Sequence, residues 1–186
     1  MAGKHKIPIS EFTPAKQDVI LFDTNILIKL LYGYMSNSCP PHYAQLYAKI
    51  LHEDAKLIIS SVQISEFINR CIRFQFQLFQ KASGNMSLEF KKDYRSTDDY
   101  RSAMEAILEI ITTDIIPNFV FIDDGFSAMQ HEKIFRYGFS YDFNDSLLLE
   151  IASANNAILV TDDKDFGNYS SNVTIVTGNK TLLMFS

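Results

Sequence analysis

The sequence predicts an α/β fold: one domain with a central, mostly parallel sheet of about five strands and helices on both faces. Short, wholly apolar runs alternate with longer segments whose apolar residues recur at helical spacing. Such runs are typical of strands that are buried on both faces of a parallel sheet. The 186 residues have the length of one ordinary domain, and 47% of them are hydrophobic, which suffices for a sizeable core.

Five apolar runs predict the strands, at 19–22, 57–59, 119–122, 157–160 and 173–176. Helical periodicity predicts helices at 24–31, 41–54, 61–81, 98–115, 126–135 and 144–155. Ser60 and Gln63 have the spacing of a capping box at the start of the third helix. Residues 1–18 are predicted to form a polar N-terminal arm and 19–186 the domain. The polar stretch at about 82–97 is predicted to be a loop or mobile excursion.

The charge balance argues against one class of function. The formal net charge is −5, whereas a protein that holds nucleic acid by its overall charge is normally basic. The acids are unevenly spread, because six acidic residues and a single lysine lie between residues 142 and 165. This distribution is compatible with a nuclease that gathers carboxylates around metal ions.

The sequence does not support a CxxC site, a zinc site or a membrane-spanning segment. The two cysteines form no CxxC pair, and the four histidines lack zinc-ligand spacing. The N-terminus has no secretory apolar stretch, and no apolar run approaches the length of a membrane span. We therefore expect a reduced, cytoplasmic protein without a membrane segment.

Four acidic residues follow predicted strands or begin predicted helices. Asp23 ends the first strand, Glu66 lies in the first turns of the helix after the second strand, and Asp145 begins the helix before the fourth. Asp163 lies just beyond the fourth strand. Since ligand sites form outside the carboxyl ends of parallel strands, these acids are expected to converge on one edge of the sheet.

Carboxylates that converge repel one another, and a hard divalent cation removes that penalty. Oxygen ligands select Mg²⁺ or Mn²⁺ over zinc or copper. A bound Mg²⁺ can activate water and stabilise charge on a phosphodiester. Four acids without a suitable His or Cys partner therefore favour metal-assisted phosphodiester hydrolysis over acyl transfer.

The same segments resemble the PIN-domain family, which includes toxins of the VapC type. The matching pieces are Val19-Ile20-Leu21-Phe22-Asp23-Thr24-Asn25, then Ser65-Glu66-Phe67, then the run from Asn144 to Ala152, and finally Ile158 to Phe166. They follow one another in the family's order and approximate spacing, over residues 19 to about 177. The N-terminal arm and the long region from about 73 to 98 depart from the compact toxins of the family.

The resemblance implies a metal-dependent ribonuclease. It implies that Asp23, Glu66, Asp145 and Asp163 are catalytic and hold one or two Mg²⁺ or Mn²⁺ ions. Further groups are expected to assist them: Thr24, Asp142, Thr161, Asp162 and Asp165. The expected partners are an RNA substrate, a cognate antitoxin and, from the resemblance together with the surplus of aromatic residues, a second copy of the chain.

Several individual assignments have simpler alternatives. Glu66 in a first turn is also typical of compensation of the helix dipole. Asp142 competes with Asp145, because either could cap the helix. Asp163 is preferred to Asp162 only because of its position within the family's motif. Two cations on the third helix are candidates for RNA phosphates, although such residues are more often a solvated face: Arg70 and Arg73.

The residues fit four other functions less well. A phosphatase of the haloacid dehalogenase type needs a second Asp two residues after the first, where Asn25 stands. A receiver-like signalling module needs paired acids after the first strand, and Asp23 is unpaired there. A dinucleotide-binding domain needs a Gly-rich turn that is absent after this strand. A catalytically silent PIN-fold binding protein remains open.

Overall fold

The computed structural model describes residues 6–33, 39–136, 143–168 and 172–184. These residues form six strands, seven α-helices of five or more residues, and one further α-helical turn at Ile116–Asn118. The strands are β1 Lys6–Pro8, β2 Val19–Phe22, β3 Lys56–Ser60, β4 Val120–Ile122, β5 Ile158–Val160 and β6 Ile175–Thr177. The helices are α1 Thr24–Leu31, α2 Pro41–His52, α3 Ser61–Ser83, α4 Asp98–Ile110, α5 His131–Arg136, α6 Phe143–Ala154 and α7 Lys180–Met184.

The strands form one sheet in the order β1-β6-β5-β2-β3-β4, and every pairing is parallel. The α/β fold with a parallel sheet is therefore confirmed, with six strands in place of about five. The additional strand, β1, lies within the segment assigned to the arm and pairs with β6. Three residues with a terminal Pro give little strand signal, and Pro is tolerated because β1 is an edge strand.

Alternate residues of each strand reach opposite faces of the sheet, as the period of two in a strand requires. Ile20 and Phe22 of β2 belong to a core cluster that includes residues of α1, α2, α3 and α4. Leu21, between them, belongs to a second cluster that includes Leu148 of α6 and Leu182 of α7. Both faces are thus covered by helices, which explains why the strands are continuously apolar.

The helices α1, α2, α3 and α6 lie close to their predicted positions. The predicted helix at 126–135 was only partly correct: a 3₁₀ turn at Phe126–Ala128 precedes α5, and Gly125, with φ +68°, stands before the turn. The helix predicted at 98–115 is divided. A π-helical segment, Ile111–Ile115, follows α4.

The polar stretch at about 82–97 is attached to the core by aromatic side chains. A π-helical turn at Phe90–Tyr94 buries Tyr94 completely. Its ring lies 5.2 Å from that of Phe76 and 5.0 Å from that of Phe79, both on α3. The Tyr94 hydroxyl donates a hydrogen bond of 2.7 Å to Asp99 on α4. This segment therefore joins α3 to α4 through packed side chains.

Among the helices in the described part of the chain, none combines the length and the apolar character that a membrane crossing requires.

Candidate active site

Asp23 lies at the carboxyl end of β2, in the middle of the sheet. Its backbone N–H donates to the carbonyl of Val160 on β5, which continues the strand pairing by one residue. The residue is only 4% exposed. One carboxylate oxygen, Oδ1, accepts from the backbone N–H of Asn25 at 3.1 Å and caps α1. The other, Oδ2, accepts from the hydroxyl of Thr161 at 2.7 Å. Both carboxylate oxygens are therefore held in fixed positions.

The surroundings of Asp23 disfavour its negative charge. Burial is the main cause, and it raises the pKa of Asp23 from 3.8 to about 6. The hydrogen bonds from Thr161 and Asn25 act in the opposite direction, whereas the charges of Asp163 and Glu66 raise the pKa further. Asp23, Glu66 and Asp163 are therefore electrostatically coupled, and a cation among them would stabilise the ionised form.

Asp163 is oriented by the same hydroxyl that holds Asp23. Its backbone N–H donates to Thr161 Oγ1 at 3.0 Å. Its own Oδ1 accepts from the backbone N–H of Asp165 at 2.9 Å, which closes a tight turn after β5. Asp165 is exposed at the rim. Thr161, which is fully buried, thus connects the two acids.

Glu66 is positioned by the first turn of α3. The capping box predicted at Ser60 and Gln63 is present, with the Ser60 backbone N–H donating to Gln63 Oε1 at 3.1 Å. The amide nitrogen of Gln63 donates to the carbonyl of Phe22 at 2.6 Å, one residue before Asp23. Glu66 itself forms an ion pair with Arg70, at 3.1 Å from Arg70 Nη1. Gln63 therefore connects the helix of Glu66 to the strand end of Asp23.

Asp162 is directed toward α1. Its carboxylate accepts from Lys29 Nζ at 2.7 Å, and both side chains are about one quarter exposed. Its backbone carbonyl accepts from the amide of Asn179 at 2.6 Å. Asp163, unlike Asp162, shares a hydrogen-bonding group with Asp23, the hydroxyl of Thr161.

Two of the other predicted residues lie at the starts of helices. Asp145 is half-buried in the first turn of α6, a helix that packs on β5, the strand leading to Asp163. Thr24 is buried as the first residue of α1. Asp142 lies outside the described residues.

The carboxylates fit a hard divalent ion by their chemistry, since they offer only oxygen donors and one of them is destabilised as an anion. Within residues 6–33, 39–136, 143–168 and 172–184, no three His, Cys, Asp or Glu side chains are grouped closely enough to hold a metal as they stand. Ion pairs engage two acids in this arrangement, Glu66 with Arg70 and Asp162 with Lys29. A metal ion at Glu66 would therefore share this carboxylate with Arg70 or displace Arg70 from it.

A cleft of about 350 Å³ opens beside the acids, between α1 and α3. Seven of the residues that line it are polar, basic or aromatic: Asn25, Lys29, Asn69, Arg70, Arg73, Phe74 and Gln77. Both predicted RNA-contacting residues are thus among its walls. The guanidinium of Arg73 also lies 4.0 Å from the centre of the Phe90 ring, which fixes its direction.

Three residues of this region were not predicted as parts of the site: Lys29, Tyr43 and Gln63. The Tyr43 hydroxyl donates to the carbonyl of Thr161 at 3.2 Å and accepts from the backbone N–H of Gly178 at 2.9 Å. Helical periodicity could have placed Tyr43 on the inward face of α2. Its hydrogen-bond partners depend on strands more than one hundred residues away, and no local pattern contains them.

The solved structures that are similar to this chain include the following two. One is the crystal structure of VapBC2 from Rickettsia felis bound to a DNA fragment from its promoter, with 18% identity, a TM-score of 0.49, and coverage of 86% of this chain and 98% of that one. The other is PAE2754 from Pyrobaculum aerophilum, with 17% identity, a TM-score of 0.46, and coverage of 94% and 93%. No curated protein matches.

The sequence also matches a model of a protein family. The model of the PIN domain matches residues 20–172, which include β2 through the turn after β5 and contain Asp23, Glu66, Asp145 and Asp163. This match covers well over half of the chain and agrees with the parallel sheet and the position of the acids. The chain belongs to the PIN domain family.

Proposed function

We propose that the protein is a metal-dependent endoribonuclease. PIN domains are generally nucleases, which sets the class of reaction. The observation that carries the proposal is the state of Asp23, a carboxylate oriented by two hydrogen bonds and destabilised as an anion mainly by burial, and further by the charges of Asp163 and Glu66. A structural acid at a strand end would more commonly be exposed or paired with a base.

In this proposal Asp23, Glu66, Asp145 and Asp163 hold one or two Mg²⁺ or Mn²⁺ ions. The ions would supply a nucleophilic water and neutralise charge on the phosphodiester. Thr161 keeps Asp23 and Asp163 in register, and Thr24, Asp142, Asp162 and Asp165 assist from the surroundings. Arg70, which pairs with Glu66, would turn to the substrate phosphate when Glu66 takes up its ligand role.

The cleft between α1 and α3 is the proposed path of the RNA next to the bond that is cleaved. Arg70 and Arg73 provide positive charge there on a chain whose net charge is negative. Phosphate contacts of this kind give affinity without sequence preference. RNA is proposed as the substrate because of the family resemblance, and the cleft is the surface proposed to bind it.

Two protein partners belong to the proposal. A cognate antitoxin would lay a helix or tail across the acidic groove and present an arginine to the carboxylates. A second copy of the chain would cover exposed apolar residues near the open edge of the sheet, where Ile116, Val120 and Phe121 are each about half exposed. Light scattering tests the dimer, and co-purification with a co-expressed neighbouring gene product tests the antitoxin.

A second candidate is a PIN-fold binding protein without catalysis. One observation favours it: Glu66 is engaged by Arg70 and Asp162 by Lys29, and the described acids form no ready metal-holding group. Such a protein would bind RNA in the same cleft and leave it intact.

Cleavage of a mixed single-stranded RNA, with Mg²⁺ or Mn²⁺ and with chelator, separates the two candidates. We expect cutting by the wild type only with metal, and none by Asp23→Asn. Asp123→Asn is the matched control, since it makes the same substitution at an exposed site after β4 and should cut normally. Binding without cutting under every metal condition would favour the silent protein.

Calorimetric titration with Mn²⁺ gives a readout that does not depend on turnover. Heat of binding in the wild type and its loss in Asp23→Asn would support the proposed metal site. Equal heats for the two proteins would contradict the assignment of Asp23.

A further inference from the structure

A second cavity, of about 480 Å³, lies at the carboxyl ends of β1 and β6. Its walls include Ser10, Phe12, His42, Lys49, Thr177 and Lys180. Ser10 and Phe12 come from the turn directly after β1, so the N-terminal strand builds one side of the cavity. This strand pairs with β6. Two hydrogen bonds also hold it: the Ile9 N–H donates to the Thr177 carbonyl at 2.9 Å, and Lys6 Nζ donates to the Gly167 carbonyl at 3.0 Å.

The cavity opens on the same edge of the sheet as the acids. The register pairs Phe22 with Val160, Val160 with Val176, and Val176 with Ile7. The next residues therefore form one row across four neighbouring strands: Asp23, Thr161, Thr177 and Pro8. Neighbouring strands are roughly 4.8 Å apart, so β6 lies about 10 Å and β1 about 15 Å from the strand of Asp23.

The cations of this cavity differ from those beside the acids. Lys29 and Arg70 are each paired with a carboxylate. Lys49 and Lys180 are exposed, and neither forms an ion pair with any residue that the structure describes. Two unpaired lysines in the walls of one cavity are able to accept an anion without first giving up a partner.

The cavity also has a surface suited to a flat, apolar group. Phe12 is half-buried in its wall, and the imidazole of His42 packs on the Tyr43 ring at 4.5 Å. Nε2 of His42 is buried without a hydrogen-bond partner among the described residues. Aromatic faces beside lysines are the combination that binds single-stranded nucleic acid, where bases stack and phosphates meet positive charge.

Tyr43 joins this cavity to the acidic site. The residue follows His42 on α2, and its hydroxyl bridges Gly178, in the cavity wall, and Thr161, which holds Asp23. The two sites therefore share one hydrogen-bonded chain and are held at a fixed separation.

We propose that this cavity is a second RNA subsite, built by the N-terminal strand. It binds a nucleotide a few positions from the cleaved bond, with the phosphate on Lys49 and Lys180 and the base against Phe12 and His42. The proposal rests on the proposed ribonuclease function and adds to it a requirement for substrate length. An acidic segment of a protein partner is the competing occupant, which the test below distinguishes.

The test measures how RNA binding depends on salt concentration, by fluorescence anisotropy. The protein carries Asp23→Asn, Mg²⁺ is present, and the RNAs are single strands of roughly 4 to 16 nucleotides. Each phosphate contact in a single strand contributes about 0.7 to the slope of log K against log salt. For long oligonucleotides, Lys49→Ala/Lys180→Ala should reduce the slope by about 0.7, because the two lysines together neutralise one phosphate. For the shortest, which reach only the acidic site, the slope should not change.

A matched control removes two lysines from the opposite edge of the sheet. Lys16→Ala/Lys56→Ala lies at the amino ends of β2 and β3 and should leave the slope unchanged at every length. Phe12→Leu keeps apolar bulk but removes the ring face, and it should weaken binding of long oligonucleotides by about tenfold with no change of slope. These effects together would support the subsite.

Cleavage by the wild type, measured in parallel, separates failure of the subsite from failure of the proposed function. If the wild type cuts RNA and the Lys49→Ala/Lys180→Ala slope equals that of the control at every length, the subsite is wrong and the ribonuclease stands. If Lys49→Ala/Lys180→Ala abolishes binding to an acidic protein partner and leaves the slope for RNA unchanged, the subsite proposal is also wrong. The cavity would then be the binding site of that partner. If RNA is neither cut nor bound, both proposals fail.

Discussion

The hydroxyl of Thr161 donates a hydrogen bond of 2.7 Å to the buried carboxylate of Asp23 and accepts one of 3.0 Å from the backbone N–H of Asp163. Two acids that are 140 residues apart in the sequence are thus oriented by one side chain. The relationship exists because β2 and β5 are neighbours in the sheet, with Phe22 opposite Val160. Because its hydroxyl contacts both acids, Thr161 is the most informative residue to substitute while all the acids are kept.

Thr161→Val keeps the shape of the side chain and removes both hydrogen bonds. The bond to Asp23 lowers the pKa of that carboxyl, so its loss should move the pKa of Asp23 upward from about 6. Activity at acidic pH should therefore fall more than activity at pH 8. A pH–rate profile measures this, and Thr161→Ser, which retains the hydroxyl, should restore the profile. A uniform loss of activity at all pH values would argue for a merely structural role.

The raised pKa of Asp23 predicts that stability without metal falls as pH rises. The folded-state pKa, about 6, is above the unfolded value of 3.8, so the contribution is fully present below pH 3.8 and is lost as pH rises through 6. At 1.36 kcal/mol per pKa unit, the loss is about 3 kcal/mol. Urea denaturation in chelator at several pH values should show this loss in the wild type relative to Asp23→Asn.

Addition of Mn²⁺ above pH 6 should restore stability to the wild type and have no such effect on Asp23→Asn, because an ion that binds only the folded state stabilises it. If the difference between wild type and Asp23→Asn is the same at pH 4 and pH 8, the carboxyl of Asp23 does not titrate as inferred.

Gln63→Glu tests the connection between α3 and β2. Gln63 is 1% exposed, accepts from the Ser60 N–H, and donates to the Phe22 carbonyl. An ionised Glu cannot donate, so the Phe22 carbonyl and a charge are left buried. We expect a loss of about 3 kcal/mol in the free energy of unfolding at pH 7, and a smaller loss at low pH, where protonation restores a donor.

Gln77→Glu, the same substitution at an exposed position of α3, is the control for Gln63→Glu and should change stability by less than about 0.5 kcal/mol. Equal effects of the two variants, by urea denaturation, would mean that the Gln63 amide contributes little to the junction.

Gly178→Ala should destabilise the protein because a Cβ at this position would lie 2.2 Å from Nε2 of His42. The imidazole packs against Tyr43, so the clash is expected to cost about 1 to 3 kcal/mol. His42→Ala in the same chain should remove most of that cost. Chemical denaturation of the two single variants and the double variant gives the coupling energy, and a value near zero would contradict the contact.

Tyr94→Ala should cost about 3 to 5 kcal/mol, because its fully buried ring fills an aromatic cluster between α3 and α4. Tyr94→Phe removes only the hydroxyl that donates to Asp99 and should cost about 1 kcal/mol. Thermal denaturation of both measures the contribution of the segment at 82–97. A small effect of Tyr94→Ala would support a loosely attached excursion.

The sequence predicted the class of fold and most helices because those features are local. Apolar runs such as Val19–Phe22 and helical spacing in α3 depend on neighbouring residues only, and a buried parallel strand leaves a strong signal. The strand Lys6–Pro8 left no such signal, since three residues at an edge gain their strand conformation only by pairing with β6, far away in the sequence.

For the candidate site, too, some features could be predicted from the sequence and others could not. The positions of Asp23, Glu66, Asp145 and Asp163 after strands and at helix starts, together with a family resemblance, predict these residues from the sequence alone. Only the tertiary structure decided that one hydroxyl joins Asp23 to Asp163, that Gln63 connects α3 to β2, and that Arg70 engages Glu66. The reason is physical: hydrogen bonds and ion pairs need atoms within about 3 Å, and sheet register, which no local pattern encodes, brings those atoms together.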